Sequence, residues 1–187
     1  MEDTVNYFAY GAIRDPLMIS AITGTEVGKI KGTKAILKGY KLAIQKLSQI
    51  PDEVYANSPV QISPRKLLTD AWGEDFESYV LVEDPEGVVE GVIWELSKEE
   101  RDSVRDWELL DFGWFHDSKG IALNEEGVAV EVDTESISKD QEIDRFVDGM
   151  NYETLLYPSE VLIEKATKAH KDYLDRLSET HEEIINT

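Results

Sequence analysis

Two short segments of the sequence carry residue types suited to chemistry on a small charged molecule. The first is Tyr10-Gly11-Ala12-Ile13-Arg14, which follows alternating apolar residues and precedes a helical pattern. Successive backbone amides in front of a helix can hold a carboxylate, and glycine lets a ligand approach the backbone closely. An ordinary strand-to-helix turn would have the same composition, so both interpretations stay open.

The second segment is Asp106-Trp107-Glu108, near the end of a predicted helix. The tryptophan and the following Leu109 and Leu110 place the Glu108 carboxyl group in an apolar setting. Partial burial raises the pKa of a carboxyl group toward neutrality, which suits a general acid or base. The alternative is a surface glutamate of a helix, because acidic residues are common along this chain.

Other signatures of catalysis and metal binding are mostly missing. The chain has no cysteine, which excludes disulfides, thiol nucleophiles and thiolate metal sites. It also lacks the GxGxxG, phosphate-loop and GxSxG patterns. Its histidines, His116, His170 and His181, do not have the spacing of a metal site. We therefore expect neither a protein-bound metal nor a cofactor.

Charge and length exclude further classes of function. The 187 residues include 39 acidic and 19 basic side chains, which give a formal net charge of −20. Such a surface repels nucleic acids and anionic membranes, and its simplest role is solubility. The sequence has neither a signal peptide nor an apolar run long enough to span a bilayer. We expect a cytoplasmic protein with one domain over residues 1–187.

The elements around the first segment are well marked. Residues 5–11 predict a buried strand, and residues 16–23 predict a short helix. Asp15 is suited to cap that helix and Gly24 to end it. Residues 30–46 contain two strand-like pieces with a bend or bulge at Gly39.

The elements around the second segment follow a long connection. Residues 48–72 predict an irregular connection, either an ordered functional loop or a mobile insertion. Residues 77–97 predict a hairpin that turns at residues 84–87, DPEG. Ser97 and Glu100 form a capping box for a helix over residues 98–110.

The C-terminal third predicts a hairpin and a long helix. The hairpin spans residues 120–133 and turns at Glu126-Gly127. The helix begins at Pro158-Ser159, with Ser159 as its cap, and carries one apolar stripe. The stripe consists of Leu162, Ala166, Ala169, Tyr173 and Leu177. It is a docking face onto the sheet or, as the alternative, a dimer seam.

Strands that come mainly as hairpins predict an α+β fold, in which helices lie against a mixed or antiparallel sheet. This pattern argues against a doubly wound parallel sheet.

Five motifs in order resemble the γ-glutamylcyclotransferase-like superfamily, including its plant-defence-gene (AIG2-like) and γ-glutamylamine cyclotransferase branches. They are FAYGAIRDP at 8–16, GYKL at 39–42, VVEGVIWEL at 88–96, VRDWE at 104–108 and the Pro-Ser pair at 158–159. The resemblance implies a small mixed β-barrel flanked by helices. It also implies that the protein needs no metal or cofactor and that its ligand is a small γ-glutamyl substrate.

The resemblance further implies roles for the two segments. The amides of the loop from Tyr10 to Arg14 would receive the α-carboxylate of a γ-glutamyl group, and Glu108 would be the acid/base. The substrate's amine would attack its own γ-carbonyl, giving 5-oxoproline and a released amine or amino acid.

Several residues depart from the family pattern, and other functions remain open. Ala12 replaces a hydroxyl or amide residue, Arg105 replaces an aspartate, and Leu109 replaces a glycine. One alternative is a non-catalytic member that binds a small carboxylate or a protein partner. Another is a metal-dependent hydrolase that uses His116. The sequence specifies neither the leaving group nor the oligomeric state.

Overall fold

Six strands and four helices form the regular structure of residues 3–147 and 156–186, the part of the chain that the computed structural model describes. The strands are β1 (Thr4–Ala9), β2 (Gly32–Lys46), β3 (Glu77–Ser97), β4 (His116–Asn124), β5 (Ala129–Ser136) and β6 (Arg145–Phe146). The helices are α1 (Pro16–Thr23), α2 (Pro64–Trp72), α3 (Lys98–Trp107) and α4 (Ser159–Asn186). None of the helices in the described part has the length and apolar content that crossing a bilayer requires.

The strands form one mixed sheet in the order β3-β1-β5-β4-β2-β6. β3 also pairs with β2, so each of the five strands from β1 to β5 is hydrogen-bonded to at least two other strands. β1 and β5 are parallel, with Tyr7 opposite Asp133, whereas the other pairs are antiparallel. The expected α+β class and mixed sheet are confirmed.

The predicted hairpin over residues 77–97 is wrong, because β3 continues through its supposed turn as one strand. Tyr40 of β2 lies opposite Glu83, and Lys38 lies opposite Val88, so residues 84–87 bulge out against Gly39 alone. The long β2 strand pairs with both halves of β3, and neither half needs to fold back on the other. The bulge predicted at Gly39, whose φ is +87°, is confirmed.

The helices next to the two candidate segments follow their capping signals. The Asp15 side chain accepts from the Leu17 amide at 2.8 Å, and Gly24 ends α1 with a φ of +75°. The capping box of Ser97 and Glu100 is present. α3 ends at Trp107, however, three residues earlier than predicted.

The prediction that residues 48–72 are irregular throughout is also wrong, since their last part forms α2. Ser63 caps this helix by accepting from the Lys66 amide at 3.1 Å, and Pro64 occupies its first position. The Arg65 Nε atom donates to the Ile50 carbonyl at 2.9 Å and ties the helix to the preceding loop. Both signals, a serine cap and a proline, were present in the sequence.

The C-terminal elements agree with the pattern in part. β4 and β5 form the predicted hairpin, and Gly127 has a φ of +77° at its turn. α4 begins at Ser159 itself, so this residue is the first of the helix and not its cap. Leu162 and Ala166 are buried in one hydrophobic cluster with residues of β1 and β3, as predicted, and α4 also packs on α1 and α3. Leu177, at the end of the apolar stripe, is half exposed.

Gly91 on β3 sets how closely the end of β1 approaches, and so positions the loop that follows. A β-carbon added at Gly91 would lie 2.2 Å from the Ala9 carbonyl oxygen and 2.6 Å from the Phe8 ring. The neighbouring backbone carbonyl has no room to move away within the paired strands.

We therefore expect Gly91→Ala to lower the free energy of unfolding by about 2–3 kcal/mol, the usual scale of overpacking. Urea denaturation measures this change. Val88→Ala on the half-exposed face of the same strand is the control, and should change stability by less than about 1 kcal/mol. Equal effects of the two substitutions would contradict the close approach at Gly91.

Candidate active site

A cavity of about 560 Å³ opens between the sheet, α2, the end of α3 and α4. Tyr10, Gly11, Ala12 and Ile13 line one side of it, and Glu108 lies on the same cavity. The two segments are nearly a hundred positions apart in sequence, and the fold brings them together. This shared cavity makes joint action on one small molecule geometrically feasible.

The loop after β1 has a fixed backbone. The carbonyl of Gly11 accepts from the Arg14 amide at 3.1 Å and from the Arg14 Nε atom at 2.9 Å. The Ala12 carbonyl accepts from the Asp15 amide at 3.2 Å, and the Ile13 carbonyl accepts from the Trp94 indole at 2.8 Å. These bonds commit the carbonyl oxygens of the loop to the fold.

Arg14 was predicted as a substrate-binding residue together with the rest of the loop. Its guanidinium bonds back to the loop, and it does not contribute to the described lining of the cavity. This bond ties Arg14 to the loop, and its part in substrate binding stays a prediction.

Glu108 occupies a backbone reversal at the end of α3. Its amide donates to the Val104 carbonyl at 2.9 Å, and the next residue, Leu109, has a φ of +53°. Leu109 is the one non-glycine residue with a positive φ in the described part of the chain. The reversal ends the helix and leaves the partly buried Glu108 side chain on the cavity.

The other two residues of this segment hold the end of α3 in place. Asp106 accepts from Arg176 of α4 at 2.5 Å. The ring of Trp107 lies edge-on to Trp72 of α2, with the ring centres 6.4 Å apart.

A second carboxyl group, which the sequence did not single out, lies on the same cavity. Glu135 of β5 is 1% exposed, and its Oε1 atom accepts from the Tyr7 hydroxyl at 2.5 Å. Its Oε2 atom is buried and has no hydrogen-bond partner among the described residues. The Tyr10 hydroxyl donates to the backbone carbonyl of Glu135 at 3.2 Å.

One buried cation accompanies the two carboxyl groups. The Arg101 guanidinium lies 4.7 Å from the centre of the Tyr7 ring, and its Nη2 atom is 3.7 Å from Asp117. Neither Nη atom has a hydrogen-bond partner among the residues that the structure describes. Arg101 therefore acts on the carboxyl groups through its charge, without a direct bond.

Part of the wall of the cavity is aromatic. It is formed by Trp72, Phe76, Trp107, Trp114 and Tyr157. Trp72 and Tyr157 pack with ring centres 4.8 Å apart. The lining of the cavity thus combines the carboxyl groups of Glu108 and Glu135 with aromatic side chains.

The histidines lie apart from this cavity. His116 Nε2 is 3.1 Å from the Ser136 hydroxyl oxygen, and His170 packs against Gly24 at the end of α1. No group of three or more potential metal ligands occurs within residues 3–147 and 156–186.

Comparison with solved structures identifies the architecture. A gamma-glutamyl cyclotransferase matches with a TM-score of 0.54 and 14% identity, over 94% of this chain and 87% of that one. An uncharacterized Homo sapiens protein matches with a TM-score of 0.53 and 15% identity, over 95% and 88% of the two chains. The chain has the γ-glutamyl cyclotransferase fold.

Other comparisons add to this result without extending it. An Arabidopsis thaliana protein matches with a TM-score of 0.52 and 14% identity, over 98% of this chain and 91% of that one. No family model matches the sequence, and no curated protein matches it significantly. At such identities the likeness shows the γ-glutamyl cyclotransferase fold and does not extend to activity.

The electrostatics of the cavity keep its two carboxyl groups from ionising together. Burial raises the pKa of Glu108 well above its ordinary value, and the charge of Glu135 adds to that rise. Burial raises the pKa of Glu135 to about 7, although Arg101 and the Tyr7 hydroxyl oppose the rise. Burial also raises the pKa of Tyr7 and Tyr10, so both remain neutral hydroxyl donors.

These shifts predict a pH dependence of stability. Glu135 holds a proton in the folded state between pH 4.5 and about 7, where the unfolded chain would release it. The free energy of unfolding therefore falls as pH rises through that interval. A shift of this size corresponds to about 3 kcal/mol.

Glu135→Gln removes this penalty, because the amide does not ionise. The free energy of unfolding of the variant minus that of the native protein should rise by about 3 kcal/mol from pH 4.5 to pH 8. Urea denaturation at both pH values measures the difference. Glu131→Gln on the exposed face of the same strand should show no such trend. A constant difference for Glu135→Gln across this range would contradict the raised pKa.

Proposed function

We propose that the protein is a γ-glutamyl cyclotransferase, which converts the γ-glutamyl group of a small substrate to 5-oxoproline and releases an amine or amino acid. The observation that carries the proposal is that Glu108 and the loop at residues 10–13 line one cavity. The γ-glutamyl cyclotransferase fold supports it.

The loop after β1 provides the binding step. Its carbonyl oxygens are engaged within the fold, so the polar groups that it offers to an anion are its backbone amides. The amides of residues 11–13 would hold the α-carboxylate of the substrate. Gly11 keeps this part of the cavity free of a side chain.

Glu108 provides the proton transfers. Its carboxylate takes a proton from the substrate's α-ammonium group, and the freed amine attacks the γ-carbonyl carbon. The new carbon–nitrogen bond closes a five-membered ring. Protonated Glu108 then donates to the departing nitrogen as the original amide bond breaks. The ring nitrogen gives up its second proton to the released amine, which leaves as an ammonium group, and Glu108 is again a carboxylate.

The raised pKa of Glu108 fits both steps. It reduces the difference in pKa between the Glu108 carboxyl group and the ammonium group from which it takes the proton. Proton transfer is most effective when the pKa values of the two groups are similar. Because nucleophile and electrophile belong to one molecule, the protein has mainly to fix their geometry and move the proton.

A non-catalytic protein that binds a small carboxylate is the second candidate. Ala12, in place of the hydroxyl or amide residue of the resembled family, favours it. A 5-oxoproline assay over γ-glutamyl amino acids, γ-glutamylamines and glutathione separates the two. Binding without product would support the second candidate.

Glu108→Gln tests the catalytic role. The amide keeps the size of the side chain but cannot accept the proton, so kcat/KM should fall about 100-fold or more. Release of 5-oxoproline measures the rate. Glu99→Gln, on the exposed side of the same helix, should retain activity. Undiminished turnover by Glu108→Gln would show that another group moves the proton.

Gly11→Ala tests the carboxylate-binding role. A β-carbon at Gly11 would lie 3.9 Å from Tyr79, an ordinary contact, so the fold should tolerate the methyl group. The methyl group would obstruct the substrate's carboxylate and weaken a charged hydrogen bond. We expect KM to rise about 10-fold with a smaller change in kcat. An unchanged KM would argue against a bound carboxylate at this loop.

A further inference from the structure

We propose that Glu135 binds the α-ammonium group of the substrate through its Oε2 atom. This inference rests on the proposed function, because it completes the recognition of a γ-glutamyl group. Such a group carries a carboxylate and an ammonium on the same carbon. The loop at residues 10–13 accounts for the carboxylate, and the ammonium requires an anionic acceptor close by.

Glu135 has one oxygen committed to the fold and one that is not. Oε1 accepts from the Tyr7 hydroxyl at 2.5 Å, which fixes the orientation of the carboxyl group. Oε2 is buried without a partner in the described part of the chain, although Glu135 lines the cavity. Buried polar atoms in native proteins nearly always have a partner. A ligand that donates hydrogen bonds would satisfy this oxygen, and an ammonium also matches its charge.

Arg101 does not take the place of such a ligand. Its guanidinium stacks over the Tyr7 ring and points toward Asp117 at 3.7 Å. Its charge lowers the electrostatic cost of ionising Glu135, and it makes no hydrogen bond to Oε2.

Tyr10 joins Glu135 to the loop that would bind the carboxylate. Its hydroxyl donates to the Glu135 backbone carbonyl at 3.2 Å, while its own backbone leads directly into Gly11. The loop amides and the Glu135 carboxyl group, which would bind the two charged groups of one amino-acid head group, are thus linked through a single side chain. Glu108 lines the same cavity, where it would take the proton from the ammonium that Glu135 holds.

Substrate binding then changes the charge of the site. The charged and titratable side chains coupled to the carboxyl pair come from β1, the loop after it, α3 and β4. They are Tyr7, Tyr10, Arg101, Arg105 and Asp117. An ammonium adds a positive charge to this set, which favours ionisation of Glu108 and Glu135 together. Binding of an ammonium ligand should therefore release a proton and leave Glu108 in its basic form.

A ligand that cannot cyclise isolates this interaction from turnover. In L-methionine sulfoxide the sulfinyl group stands in place of the γ-carbonyl, and no lactam can form. The same compound without its amino group is the matched ligand. Calorimetry on the native protein at neutral pH should show about 10-fold or tighter binding of the amino compound, on the scale of a charged hydrogen bond. Repeating the measurement in two buffers of different ionisation enthalpy reports the protons exchanged on binding. Only the amino compound should release a proton.

Glu135→Gln should bring the affinity ratio of the two ligands close to one, whereas Glu131→Gln should keep it. The glutamine can still accept from Tyr7, so the fold is retained. Equal affinity of the native protein for the two ligands, or an unchanged ratio in Glu135→Gln, would overturn the proposal. These measurements do not depend on turnover. An absent 5-oxoproline product alongside a clear preference for the amino compound would therefore refute the reaction and keep the binding site.

Discussion

The burial of two carboxyl groups beside a single guanidinium is the constraint on which the rest of this site depends. Glu108 and Glu135 line one cavity, the charge of Arg101 acts on both, and burial is the main cause of both raised pKa values. Isolated buried charges are costly, and proteins usually respond by neutralising one of them. The site therefore exists at neutral pH with fewer negative charges than carboxyl groups, and a cation that enters it has a large effect.

The surrounding structure holds this arrangement in place from several directions. Tyr7 and Glu135 belong to the parallel pair of β1 and β5, the one parallel contact in the described sheet. Tyr7 also packs in a hydrophobic cluster with residues of α1 and α4, including Met18 and Leu162. The polar contact is thus embedded in packed apolar side chains, and these stabilise a hydroxyl–carboxyl pair that would contribute little by itself.

Local signals in the sequence correctly predicted those elements of the site that depend only on neighbouring residues. Asp15 and Gly24 delimit α1, and the capping box at Ser97 begins α3, because caps act within a few residues. The predicted turn at residues 84–87 was wrong because distant residues decide the structure there. Its local preference is a reversal, but pairing along the whole length of β2 outweighs that preference, and such pairing is not visible in a short window.

The sequence likewise identified one carboxyl group of the candidate site, Glu108, and missed the other, Glu135. Glu108 stands beside tryptophan and leucine, so its apolar setting could be read from its neighbours. Glu135 has no such mark. Val132 and Thr134 of β5 point inward, so strand alternation predicts that Glu135 faces solvent. In the structure, however, Glu135 is buried as well. Only the pairing of β1 with β5, which joins residues more than a hundred positions apart, brings Tyr7 to it and makes it part of the cavity.

Leu109 shows how packing can hold a backbone conformation that glycine adopts more easily. The resembled family has glycine after its acid/base residue, and here a leucine adopts the left-handed conformation that glycine favours. That conformation costs a residue with a side chain about 1–2 kcal/mol. The Leu109 side chain packs against the cluster around Leu110 and Trp114, and apolar burial of this kind offsets a cost of that size. The backbone reversal that leaves Glu108 on the cavity therefore depends on packing here, where glycine would have made it by conformational freedom alone.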